Sequence, residues 1–136
     1  MSVETDLPRM IELARDARTR SYSPYSKFKV GACVRGASGE LYPGANVENA
    51  AYPHGSCAET SALDKMANAG ERRLSAIVVI GGGDALVTPC GGCRQRIREF
   101  GDPTTPIIIC GEDGTIRARF TLDELLPHSF GPDHLA

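Results

Sequence analysis

The sequence predicts an α/β layered domain, with helices packed on a mixed five-stranded sheet, and three observations lead there. Two apolar runs, Leu74–Ile80 and Pro106–Cys110, show no alternation and read as strands buried on both faces. Each is preceded by a stretch of helical spacing that opens at a cysteine-bearing segment. Residues 28–34 and 40–45 are strand-like runs on either side of Gly36-Ala37-Ser38-Gly39, which makes a hairpin. The resulting order, α-β-β-α-β-α-β-β, is that of helices packed on a mixed sheet.

Taken in order, Leu7, Met10, Ile11, Ala14 and Ala17 recur at helical spacing. Thr5 or Asp6 is the expected cap, Pro8 falls in the first turn, and the helix ends near Arg20. Residues 21–26 form a turn region before the hairpin. Residues 46–55 have no period and contain Pro53 and Gly55, so they read as a loop delivering the chain to Cys57. From Cys57 the apolar positions Ala58, Ala62, Leu63, Met66 and Ala69 mark a helix that stops at Gly70. Gly81-Gly82-Gly83 lacks the Gly-Lys-Ser/Thr of a phosphate loop and reads as a connection. Thr88 is the expected cap of the next helix, with Pro89 at its first position. Residues 116–120 form a last strand after the Glu112-Asp113-Gly114 turn, and 121–126 a short helix. Strand-helix-strand units around 57–80 and 90–110 are right-handed crossovers if their strands are parallel.

At 136 residues the chain reads as one domain, 1–136, large enough for a core without disulfide staples. Its 41% apolar content and mean hydropathy of −0.20 are those of an ordinary globular protein. The first ten residues carry two acids and no apolar h-region, and no run approaches a membrane span. Five cysteines, an odd number, favour a reducing compartment and metal ligation over disulfides, which points to the cytoplasm. A net charge of −2 argues against nucleic acid. The densest basic set, Arg94, Arg96 and Arg98, alternates and cannot share one helical face. A small-molecule substrate fits this balance better.

The chemistry concentrates in Ser56-Cys57-Ala58-Glu59-Thr60 and Pro89-Cys90-Gly91-Gly92-Cys93. Three soft ligands, Cys57, Cys90 and Cys93, suit Zn²⁺, and three rather than four leave a coordination position open, as catalytic sites do. Cys90 and Cys93, three apart, lie on one face of a first helical turn. Glu59, two residues from Cys57, is placed to shuttle a proton from a metal-activated water. A redox Cys-x-x-Cys would need neither Cys57 nor Glu59, and a structural zinc site would want a fourth Cys or His. Cys33 and Cys110 lie in apolar strands, where a buried inert thiol is the default. Ser56-x-x-Glu59 also fits a capping box, a role that competes with catalysis for the same carboxylate.

The Cys-x-Glu and Pro-Cys-x-x-Cys pair is the known signature of zinc nucleobase deaminases. Across nearly the whole chain the sequence resembles one branch of these, the small homotetrameric cytidine deaminases acting on free nucleosides. The likeness includes Tyr22-Ser23-Pro24-Tyr25-Ser26-Lys27-Phe28, Val30-Gly31-Ala32, Asn46-Val47-Glu48-Asn49-Ala50-Ala51-Tyr52, Pro89-Cys90-Gly91-Gly92-Cys93-Arg94-Gln95 and Leu125-Leu126-Pro127. The resemblance implies a three-layer α/β/α cytidine-deaminase-like domain, a zinc cofactor, a nucleoside substrate, and active sites at the subunit interfaces of a homotetramer. It implies that Asn46 and Glu48 hold the ribose 3′-hydroxyl, that Phe28 walls the base, and that the Ala58 backbone holds the pyrimidine O2. Phe130 would reach into a neighbouring subunit's pocket.

The implied reaction is hydrolysis of cytidine and deoxycytidine to the uracil nucleosides and ammonia, a step of pyrimidine salvage. Deamination of another aminopyrimidine nucleoside such as blasticidin S is the alternative on the same site, and a non-catalytic structural zinc module the alternative from another class. One position departs from the pattern. Many three-cysteine relatives carry Arg after the motif's Glu, where this chain has Thr60. The positive ends of two helix dipoles, with Arg94 if its side chain folds back, are the expected compensation.

Overall fold

The computed structural model describes residues 2–136; residue 1, the first of the predicted domain, lies outside the described residues. The elements run α1 (Val3–Arg18), β1 (Gly31–Gly36), β2 (Leu41–Ala45), a 3-10 turn (Tyr52–His54), α2 (Ala58–Asn68), β3 (Leu74–Ile80), α3 (Gly91–Phe100), β4 (Pro106–Cys110), β5 (Ile116–Thr121) and the one-turn α4 (Leu122–Leu125). A second 3-10 turn, Pro132–His134, lies near the chain end. Among the described residues no helix is long and apolar enough to cross a membrane.

The five strands form one mixed sheet in the order β2-β1-β3-β4-β5. β1 is antiparallel to both β2 and β3, so β2 and β3 run the same way. β3 and β4 are parallel neighbours, and β5 returns antiparallel along the edge. The helices α2 and α3, which follow the co-directional strands β2 and β3, therefore begin at the same end of the sheet.

Side-chain alternation sorts the core into two layers. Cys33, Ala76, Val78, Ile80, Ile108 and Cys110 face α1, meeting Leu7, Met10 and Ala14. Ala32, Val34, Ile77, Val79, Ile107 and Ile109 face the other way, onto Ala62, Leu63 and Met66 of α2 and Ile97 of α3. This is the expected three-layer arrangement, and it explains why the central strands read as unbroken apolar runs. Cutting Ile77 or Ile109 to Ala would cost about 2–5 kcal/mol. Close approach at Gly44 seats α2, since a Cβ there would come within 2.5 Å of the Ala62 backbone nitrogen.

Three element starts differ from expectation. α1 begins at Val3, just after Ser2, whose side chain accepts from the Thr5 amide, so Pro8 lies inside the helix rather than in its first turn. Asp6 does not cap; it pairs with the buried Arg35 at 2.8 Å. The packed stripe of Leu7, Met10 and Ala14 outweighs the Pro8 penalty. β1 begins at Gly31 rather than residue 28, because the Val30 amide bonds the Asn46 side chain rather than a strand. The third difference lies at the site.

Candidate active site

α2 and α3 are capped by the cysteines themselves. Cys57 and Cys90 are the N-cap residues, both extended, and neither sulfur caps the helix it precedes. Thr88 is therefore not the cap. The Pro89 carbonyl, which a helix starting there would use, accepts the Arg94 guanidinium at 2.7 Å instead, and the first helical bond runs from the Arg94 amide to Cys90. Cys93 follows in the first turn of α3, buried. The capping box at Ser56 does not form either, so the Glu59 carboxylate is not committed to helix stability.

The three sulfurs lie within 4.8 Å of one another, with Cys57 and Cys90 3.8 Å apart. Metal–sulfur bonds of about 2.3 Å in tetrahedral geometry space two sulfurs about 3.8 Å apart, so the donor set fits such an ion. Between Cys57 and Cys93 ionisation of the first opposes that of the second. A hydrogen bond from Cys93 lowers the Cys57 pKa, and that bond together with burial pushes the Cys93 thiol well up. A divalent cation would relieve that opposition, and two helix N-termini add partial positive charge.

Glu59, 4% exposed, sits in the first turn of α2. Burial raises its carboxyl above the usual carboxylate value, offset in part by its own backbone amide. A group poised nearer neutrality both accepts and returns a proton readily. Cys57, Ala58, Glu59 and Cys90 line one cleft together with Phe28, Asn46 and Glu48, so eight of the nine residues singled out in the sequence converge on it if the adjoining Cys93 is included. The cleft measures about 290 Å³.

Phe130 is the exception. It is absent from the lining; its half-exposed ring stacks on His134 at 4.9 Å, and its carbonyl accepts from Gln95 of α3 at 2.8 Å. Asn46 and Glu48 already have protein partners. The Asn46 amide donates to the Phe28 carbonyl at 2.8 Å and accepts from the Val30 amide at 2.9 Å. Glu48 accepts from the Tyr25 and Ser26 amides at 3.0 and 3.1 Å and from the Ser26 hydroxyl, which hold its carboxyl below the usual range, the hydroxyl foremost.

Sequence reasoning passed over four lining residues, Ser26, Val30, Val87 and Thr88. Val87 and Thr88 precede Pro89 in a segment with no period, and only their proximity to the cysteine pair could have flagged them. Arg94 does not reach the sulfurs; it bonds the Pro89 and Leu125 carbonyls and the Thr88 hydroxyl. The side chain that does touch the cluster is Thr60, whose hydroxyl lies 3.7 Å from the Cys93 sulfur.

Residues 4–109 match the family model of the cytidine and deoxycytidylate deaminase zinc-binding region. The chain is 37% identical over 131 residues to a cytidine deaminase of Sporosarcina psychrophila, covering 96% of both chains. It is 39% identical over 125 residues to that of Halalkalibacterium halodurans, covering 92% of this chain and 94% of that one. A crystal structure of cytidine deaminase from Burkholderia pseudomallei superposes with a TM-score of 0.84 at 39% identity, over 96% of this chain and all of that one.

Proposed function

The chain belongs to the cytidine deaminase family, and from that premise we propose that it hydrolyses cytidine and deoxycytidine to the uracil nucleosides and ammonia, a reaction of pyrimidine salvage. The observation that carries this reading is the convergence of three sulfurs from two helix N-termini beside a buried carboxylate, in a cleft with room for a pyrimidine.

Cys57, Cys90 and Cys93 hold Zn²⁺ in this reading. Zinc there supplies Lewis acidity that makes a water molecule nucleophilic near neutral pH. Glu59 takes the proton released by that water and delivers it to N3 of the base as C4 is attacked; it then takes the proton of the new C4 hydroxyl, as the C4 carbonyl forms, and delivers it to the departing amine. One carboxyl does both jobs because each transfer resets it. The backbone of Ala58 holds O2, Phe28 walls the base, and Asn46 and Glu48 hold the ribose. One carboxylate oxygen of Glu48 accepts only the Ser26 hydroxyl, leaving acceptor capacity for a sugar hydroxyl.

The whole chain serves as one catalytic domain in the cytoplasm, assembled as a homotetramer. Phe130, held on α3 outside its own cleft, completes a neighbouring subunit's pocket. The deciding experiment is ammonia release over a panel of aminated nucleosides and free bases, with metal analysis of the same preparation. Cytidine and deoxycytidine should be turned over with close to one zinc per chain, and Cys90→Ser should lower both metal and turnover. Activity confined to another aminopyrimidine nucleoside would redirect the substrate, and normal turnover by a protein lacking all three thiols would remove the metal. Sedimentation of the purified protein tests the tetramer.

A further inference from the structure

Phe28 is 45% exposed, so packing does not set the direction of its ring; the backbone must. Both polar groups of that residue are held. Its carbonyl accepts the Asn46 amide at 2.8 Å, and its N–H donates to the Ser26 hydroxyl oxygen at 3.0 Å. The same Ser26 hydroxyl donates its proton to Glu48. Between Ser26 and Phe28 stands Lys27, a non-glycine residue in the left-handed region at φ 62°, its amide bonded to the Ser23 carbonyl at 3.0 Å. L-residues adopt that conformation only where the surroundings impose it.

We propose that Ser26 is a positioning residue, its one hydroxyl tying the carboxylate that holds the sugar to the backbone that aims the aromatic wall. The inference rests on the roles assigned above to Glu48 and Phe28. A hydroxyl offers one proton and two lone pairs. Here the proton fixes Glu48 and a lone pair fixes the Phe28 amide, so neither contact can relax without disturbing the other. Ser26 lines the cleft itself, at the point where sugar and base recognition meet. A nucleoside whose sugar engages Glu48 therefore finds the base wall already placed.

Ser26 is exposed, so its replacement leaves the core intact. Ser26→Ala should raise KM for cytidine about tenfold, the order expected for losing a hydrogen bond to a charged group, with kcat changed less than threefold. Ser26→Thr, which keeps the hydroxyl, should restore KM. The losses of Ser26→Ala and Glu48→Gln should be far from additive, because the first already cuts the tie between the Glu48 carboxylate and the Phe28 amide. Hydrogen exchange at the Phe28 amide should accelerate in Ser26→Ala and not in Ser26→Thr. An unchanged KM in Ser26→Ala, additive losses, or unchanged exchange at Phe28 would each overturn the proposal. The exchange arm needs no turnover: wild-type protein that released no ammonia would sink the deaminase reading alone, and Phe28 exchange would still decide whether Ser26 makes the tie.

Discussion

The hydroxyl of Thr60 lies 3.7 Å from the Cys93 sulfur, so a neutral hydroxyl touches the thiol cluster at the position where the sequence resemblance implied a cation. Thr60 is buried, and no guanidinium replaces it, since Arg94 is held by carbonyls. Compensation for thiolate charge is thus left to one hydroxyl and two helix N-termini. Thr60→Val keeps the shape and removes the donor. Contacts behind metal ligands contribute about 10–100-fold to metal affinity, and a single neutral donor belongs at the lower end. We expect zinc to be lost about tenfold more readily in chelator competition, with an unchanged circular dichroism spectrum. Equal retention in the two proteins would make the hydroxyl a packing group.

Glu59→Gln separates catalysis from structure. With Cys57 as the N-cap and no capping box, the carboxylate gives α2 no cap to lose. The amide also removes a buried acid whose ionisation is opposed by desolvation. Metal content and Tm should therefore hold or rise, while kcat falls by at least the 10²–10⁴-fold typical of a general acid–base group. A variant that melts early yet keeps its rate would return Glu59 to a structural role.

Tyr42 and Glu71 give a pH signature away from the site. The Tyr42 hydroxyl donates to Glu71 at 2.6 Å, and that bond pushes the phenol up to about 12 while lowering the carboxyl. A phenol raised in the folded state stabilises fully below its unfolded value of about 10, and that contribution is lost as pH rises through about 12. Phenolate absorbance should show Tyr42 titrating late, and Glu71→Gln should bring it back toward the unfolded value. Between those pH values the urea midpoint should fall more steeply in wild type than in Glu71→Gln.

Strands β3 and β4 could be read to the residue, because a run such as Leu74–Ile80, with Ser75 as its one polar position, admits few other homes. The metal cluster was legible for a different reason: thiols are rare, and a ligand spacing survives any error in helix boundaries. What the sequence hid were contacts whose partners are distant in the chain. Asp6 looks like a cap until Arg35, 29 residues away, is seen beside it. Pro89 looks like a first helical residue until the Arg94 side chain takes its carbonyl. Residues 28–30 look like strand, and only the Asn46 side chain shows why they leave the sheet.

On the roles proposed above, Asn46 has a heavier duty than sugar binding alone. Its side chain bonds the Phe28 carbonyl and the Val30 amide while lining the cleft, so it would aim the proposed base wall as well as hold the sugar. Free cytosine should be a far poorer substrate than cytidine, because binding energy from the ribose is used to position the reacting ring. If Asn46 only held the sugar, Asn46→Ala would cost little more on a substrate without a 3′-hydroxyl. Its place under Phe28 predicts otherwise. Asn46→Ala should lower kcat/KM by about 10²-fold on cytidine, and most of that loss should persist on 2′,3′-dideoxycytidine. Stability should drop too, since the half-buried Val30 amide loses its partner, a hydrogen bond worth about 1 kcal/mol. Kinetics on the two nucleosides, with a urea melt of the same variant, decide between a sugar ligand and a strut beneath the wall. A loss confined to cytidine, with stability intact, selects the ligand.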